Sequence, residues 1–481
     1  MKAFVIAAAV TVAGIARAQE PAGSQPGPAP PPAADAQQTA PASPPAAVTP
    51  QPVNPPAASA PASTPPASTP PAADAIKPET FALIGDVAYE PGVGVRYKTP
   101  KTNIVLYGIV EPTLSTVNNA YAYGGSKNGF QVSWFSGNRW GISGNQSLVK
   151  DDSIKAIWRL ESEFELPTGN MDTHDVLFNR DAWMGFESVL GKITFGRQNT
   201  LARDFSQNYG DPYGTTGVRF EEGGWTNVNN FKQLIYFAGG PSLVVEDDAR
   251  KSTPDTRYTN GIVWKRAFGK YVMAGVGAQL GNGEGRHFTD DTALSVGLAL
   301  NANPVSISGF FTEANNHGFN QHAASVGGNW TVSILRVNAG VFHYEADQAA
   351  LGTQIQNAAT LSGTIKLTDP LELDLGYQKI WANNAAYRGN GQISQPFGST
   401  AGLASTGTGW KGTLYGSLIY KFSRATQIYL AADHMQVAGG YAVTGAVAGK
   451  FAGDGSTVPA SFASVAHNSQ IEVAAGTRLI F

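Results

Sequence analysis

Residues 138–198 read NRWGISGNQSLVKDDSIKAIWRLESEFELPTGNMDTHDVLFNRDAWMGFESVLGKITFGRQ, and the stretch resolves in steps of two rather than in helical turns. Ile154, Ala156, Trp158, Leu160 and Phe164 fall on one face; Lys155, Arg159, Glu161, Glu163 and Glu165 fall on the other. Successive strand side chains point to opposite faces, so this ribbon is apolar on one side and heavily charged on the other. A soluble sheet can be built that way too. The frame around the stretch decides: an export segment at the amino terminus, no cysteine, further alternating ribbons to the end, and a terminal Phe481.

The 481-residue chain opens with Lys2, an apolar run over 3–15 and Ala16-Arg17-Ala18. That pattern is a signal peptide over residues 1–18 with an A-x-A cleavage site, too short to span a bilayer. No later run of about 18 apolar residues supplies a helical anchor. Without cysteine there is no disulfide framework, thiolate metal site or cysteine nucleophile. The net charge of −3 becomes about −5 once Lys2 and Arg17 are removed, which gives no reason to expect nucleic acid.

Residues 19–75 hold 18 of the 30 prolines and no Lys, Arg or aromatic residue. Lacking groups large enough to offset ordering entropy, they are expected to form a disordered, extended periplasmic segment, either a spacer or an arm that contacts the cell wall. Residues 76–102 are transitional, with one short strand expected near Val93 to Tyr97.

From residue 103 to 481, short alternating runs are joined by two kinds of connector. Tight ones carry turn residues, as at Gly269-Lys270, Asn303-Pro304, Asp369-Pro370 and Ser423-Arg424; long polar ones occupy 199–229, 281–291, 383–408 and 438–468. Short turns at one end and long loops at the other are the pattern of an outer-membrane barrel. The faces agree: Leu294, Val296, Leu298 and Leu300 oppose Ser295, Gly297 and Ala299, while Leu371, Leu373 and Leu375 oppose Glu372 and Asp374. Trp134, Trp140, Trp264, Trp381, Trp410, Tyr420 and Phe481 lie near strand ends, where interfacial girdles sit. The expected fold is all-β, a transmembrane antiparallel β-barrel. The runs number 18, including short ones at 230–238 and 242–247, with 16 strands as the alternative; either encloses an aqueous channel.

An ordered set of short segments carries a family resemblance: Leu106-Tyr107-Gly108, Asn138 to Gly141, KAIWRLES at 155–162, FNRDAWMG at 178–185 and TFGRQ at 194–198, with a further match over 420–436 and 469–481. The set resembles the general trimeric porins of Gram-negative bacteria. The resemblance implies a barrel of 16 strands, which would put the surplus hairpin of the 18-strand count between residues 335 and 381. It implies a homotrimer latched by the loop at 166–177, and a long third loop, here 199–229, folded into the lumen. In that family loop carboxylates face a ladder of wall arginines at the pore constriction. Carried over, the ladder is Arg139, Arg180 and Arg197, and the loop acids are Asp211, Glu221 and Glu222. The family's next basic position maps to Asn229, so the ladder is shortened unless Lys232 substitutes.

Glu111, Arg159, Glu161, Glu163 and Arg478 are expected to face the lumen as well; Arg159, Glu161, Glu163 and Glu165, on one face, read as mutually compensating charges rather than as a cation-binding ladder. No histidine spacing suits a metal and no nucleophile–base pair stands out, so neither cofactor nor enzyme activity is expected. The function implied is passive diffusion of small hydrophilic solutes and ions across the outer membrane of a Gram-negative bacterium. The alternatives are a channel preferring a sugar or an anion, and an envelope protein tethered by its proline-rich arm. Besides lipid, solutes and its own copies, the expected partner is the barrel-insertion machinery, engaged through Phe481.

Overall fold

The computed structural model describes residues 80–481 apart from 121–124, 132, 174–175, 212–233, 236–255, 282–291, 317–318, 349–350, 389–402 and 440–467. The expected signal peptide and proline-rich segment, over 1–75, therefore lie outside the described residues, as do Glu221, Glu222, Asn229 and Lys232.

The described strands run in chain order from β1 (Phe81–Ile84), β2 (Val87–Glu90) and β3 (Gly94–Lys98) to β21 (Ser469–Ile480). β4 (Thr102–Val110) and β5 (Thr113–Val117) form one barrel strand interrupted at Pro112, which has no N–H to give to a ladder. β6 (Lys127–Gln131) and β7 (Asn138–Ser147) form the second, interrupted opposite, because β5 pairs β6 while β4 pairs β7. β8 (Ile154–Phe164), β9 (Asp181–Ser188) and β10 (Gly191–Asn199) follow as antiparallel neighbours. The ladder continues through β11 (Arg257–Phe268), β12 (Val272–Gln279), β13 (Ala293–Ala302), β14 (Val305–Asn316) and β15 (Phe319–Val332). It goes on through β16 (Leu335–Asp347), β17 (Thr353–Lys366), β18 (Leu371–Arg388), β19 (Leu403–Lys421) and β20 (Thr426–Gly439) to β21, which closes on β4 and β5.

The closed barrel has 16 strands, not 18. β10 pairs directly with β11, from Lys192↔Lys265 to Asn199↔Arg257, so no wall strand stands between them. The runs at 230–238 and 242–247 are therefore excluded from the wall, and the long connector extends from 200 to 256. No surplus hairpin lies at 335–381 either, since β16, β17 and β18 are successive wall strands.

The alternation read from sequence is the alternation observed. On β13 the pattern is buried–exposed throughout its first eight residues, with Leu294, Val296, Leu298 and Leu300 exposed. That outer surface suits lipid, and the closed ladder leaves no open sheet edge among the described wall strands, as a membrane requires. The seam is closed at its last residue: Phe481 N–H donates to Gly108 O at 3.0 Å, and Gly108 N–H donates to Phe481 O at 2.6 Å. The Phe481 ring lies over Gly108, where a Cβ would come within 2.5 Å of its Cζ.

Candidate functional site: the lumen

The connector after β10 enters the barrel as a helix, α1 (Leu201–Gly210). Thr200 caps it, its side-chain oxygen accepting from Arg203 N–H at 3.2 Å. Leu201, Phe205 and Tyr209, spaced four apart, form a single stripe of fully buried side chains. They press on a trough of lumen-facing glycines. Gly275 and Gly277 meet Leu201, Gly297 meets Phe205, and Gly327 and Gly340 meet Tyr209; a Cβ at Gly297 would lie 2.6 Å from the Phe205 ring.

The last carbonyls of a helix have no partner inside it, and here the barrel wall supplies partners: Asn329 donates to Asn208 O at 2.6 Å and Gln378 to Gly210 O at 2.7 Å. Mid-helix, Ser308 donates to Phe205 O at 2.6 Å. The Tyr209 hydroxyl lies 2.7 Å from Ser325 Oγ. Lys265 reaches Asp204 in the first turn at 2.7 Å. α1 is thus bonded along the inner wall from β11 to β18.

The other inner wall is the charged sector. Arg180 is bound by both Glu161 and Glu163, and Arg139 lies 3.6 Å from Glu161. Tyr107 donates its hydroxyl to Glu161 at 2.9 Å. Asp181 takes Arg159 at 3.5 Å and Arg257 at 3.2 Å. Arg197 donates to Asn179 O at 2.7 Å and to Thr259 Oγ1 at 2.9 Å. So Arg139, Arg180, Glu161 and Glu163 form one network, which Arg159 joins through the Tyr107 ring. Arg257, which the sequence reading did not include, opens β11 after the long connector and joins the sector through Asp181.

Two further expected site residues have distinct surroundings. Asp211 ends α1 and is buried there, as Arg180, Glu161 and Asp181 are buried in the charged sector. Glu111 is likewise fully buried. Residues 133–137 (SWFSG), which bridge β6 and β7, cover it, and its carboxylate accepts the N–H groups of Trp134, Phe135 and Ser136 at 2.8, 2.7 and 3.3 Å. It also accepts the Tyr429 hydroxyl at 2.9 Å, with Arg478 at 3.8 Å. Above this knot Trp134 and Phe135 pack with Ile419, Tyr429, Ala431 and Ala474. Glu111 therefore holds an inward fold of the chain and does not line open water, while Arg478, its side chain 20% exposed, stands at the edge of that fold. The expected latch region is also internally engaged: Asp172 accepts from Asn179 Nδ2 at 3.3 Å.

The comparisons agree with this architecture. An anion-selective porin from Comamonas acidovorans superposes with a TM-score of 0.58 at 17% identity, over 79% of this chain and 100% of that one. The outer-membrane protein OmpT of Vibrio cholerae gives 0.49 at 12% identity, over 80% and 99%. An outer membrane porin protein of Bordetella pertussis is 29% identical over 127 residues, 24% of this chain and 32% of the relative, so the match spans about a third of that relative's length. The model described as Gram-negative porin matches residues 73–436. The closed barrel is thus an outer-membrane one, and the chain belongs to the Gram-negative porin family.

Proposed function

We propose that the protein is a general diffusion porin, passing small hydrophilic solutes and ions through the water-filled space between α1 and the arginine sector. The observation that carries this reading is the pairing of a helix fixed along one inner wall with a row of fixed charges on another. Such a row sorts solutes by size and field and needs no reaction centre. Within the charged sector Arg139, Arg159, Arg180, Arg197 and Arg257 outnumber Glu161, Glu163 and Asp181, which favours anions. Selectivity for anions in the Comamonas relative is consistent with that direction.

The channel assembles, on this reading, as a homotrimer, and the proline-rich segment at 19–75 extends into the periplasm toward the cell wall. Liposome swelling tests the diffusion reading. Uptake of neutral sugars should be unsaturable and should fall smoothly with sugar size. Saturation at millimolar sugar would replace it with a substrate-binding channel. Crosslinking in mild detergent should give a three-chain species.

A further inference from the structure

β1, β2 and β3 form a small antiparallel meander in front of the barrel, of which the sequence suggested only one strand. β3 pairs with the first half of β4, Val95↔Leu106 to Lys98↔Asn103. β21 pairs with β4 at Val110 and Ile109 and ends there. β3 therefore continues the line of β21 beyond the chain terminus, and the meander extends the wall on the side of the short turns. It is fixed in place. Gly92, with φ +78, lies so close to the turn after β19 that a Cβ would be 2.9 Å from Arg424 O. Gly94, with φ +128, has no room for a side chain against Leu106 O.

The register assigns every side chain to a face, because directly paired residues share one. Tyr107 reaches Glu161 inside the lumen, so its neighbours Leu106 and Ile104 face outward. Val95 and Tyr97 pair with them; Tyr89 and Val87 pair with Val95 and Tyr97; Phe81 pairs with Tyr89. These residues make an outer face with no charge on it, and Phe81 stacks on Tyr89 at 6.3 Å between ring centroids. Arg96 and Lys98 lie on the opposite face, and Arg96 holds Glu90 at 3.2 Å. Phe81 and Tyr97 are 47% and 41% exposed, and Ile84 at the hairpin is 80% exposed.

A sheet projecting into water would put its polar face outward. This one turns its apolar, tyrosine-bearing face the same way as the lipid-facing wall and is continuous with it through Leu106, itself 46% exposed. We propose that the meander is a membrane collar, whose outer face rests in the phospholipid headgroup and acyl boundary of the periplasmic leaflet. Tyrosine is suited to that boundary, apolar over its ring and wet at its hydroxyl. The collar brings the chain into the barrel from the membrane surface at its flank, clear of the pore mouth.

The chain has no cysteine, so single replacements give unique labels. Tyr89→Cys, Tyr97→Cys and, on the inner face, Ala88→Cys would each carry an environment-sensitive fluorophore in the full-length protein. Each is first shown to be a closed barrel by its gel mobility, with Val87→Cys in reserve for either tyrosine position. In phospholipid vesicles containing headgroup-region nitroxide lipids, quenching should be several-fold stronger at positions 89 and 97 than at 88. Equal, water-like signals at all three positions would overturn the proposal. So would protection at 89 and 97 that resists lipid quenching and disappears on dissociation to single chains, since a second copy would then cover the face.

Discussion

Replacing Glu111 with Ala should weaken the barrel more than any other single change in its lumen. The carboxylate is fully buried and satisfies three backbone N–H groups and the Tyr429 hydroxyl, with Arg478 alongside. An alanine leaves the three backbone donors buried without an acceptor, at about 1 kcal/mol or more each, and removes the partner of a partly buried guanidinium, while the Tyr429 hydroxyl keeps Thr113 Oγ1 as a partner. The expected loss is roughly 4 kcal/mol, comparable to breaking a buried ion pair. Glu111→Gln keeps one acceptor oxygen and the side-chain shape, so roughly 1–2 kcal/mol is expected. Urea unfolding of purified protein in detergent micelles, followed by loss of heat-modifiable gel mobility, measures both. The fold of residues 133–137 should also come free, making single-channel current noisier. An alanine variant within about 1 kcal/mol of the parent, with quiet current, would refute the view that this carboxylate holds the inward fold.

Three further outcomes follow from the same contacts. Gly340→Val should displace α1, because the Tyr209 ring already occupies the space of a Cβ; the barrel should still close, while conductance changes by a readily measured fraction. Deleting Phe481 removes both seam hydrogen bonds to Gly108 and the ring above it, so barrel yield in the outer membrane should fall several-fold with export to the periplasm unchanged. Gln378→Ala strips the acceptor Gly210 O of its donor, and the open-state current should fluctuate more, with a stability cost of about 1 kcal/mol.

The wall was legible in the sequence because its signal is local. Period-two alternation gives lipid and lumen parity strand by strand, and the first eight residues of β13 match it. The strand count departs from the structure where the determinant is not local. The runs at 230–247 alternate well enough, but only the partner that β10 selects excludes them from the wall, and nothing in their own residues states that choice. Glu111 failed for a related reason: parity put it on the lumen side, whereas its burial depends on residues more than twenty positions later. The helix was there to be found. Leu201, Phe205 and Tyr209 recur every fourth residue, and the lumen-side glycines at 275, 277, 297, 327 and 340 mark the trough that receives them.

The central claim is that the arginine sector sets the field of an open pore, and zero-current potential across a planar bilayer measures that field. Arg180 compensates both Glu161 and Glu163, so Arg180→Gln leaves two carboxylates facing the lumen with less opposing charge. The parent should favour chloride over potassium. The variant should shift toward potassium, and should shift further at 0.01 M than at 0.1 M salt, where the screening length falls from about 30 to about 10 Å. Equal potentials for parent and variant at both salt concentrations would contradict the account.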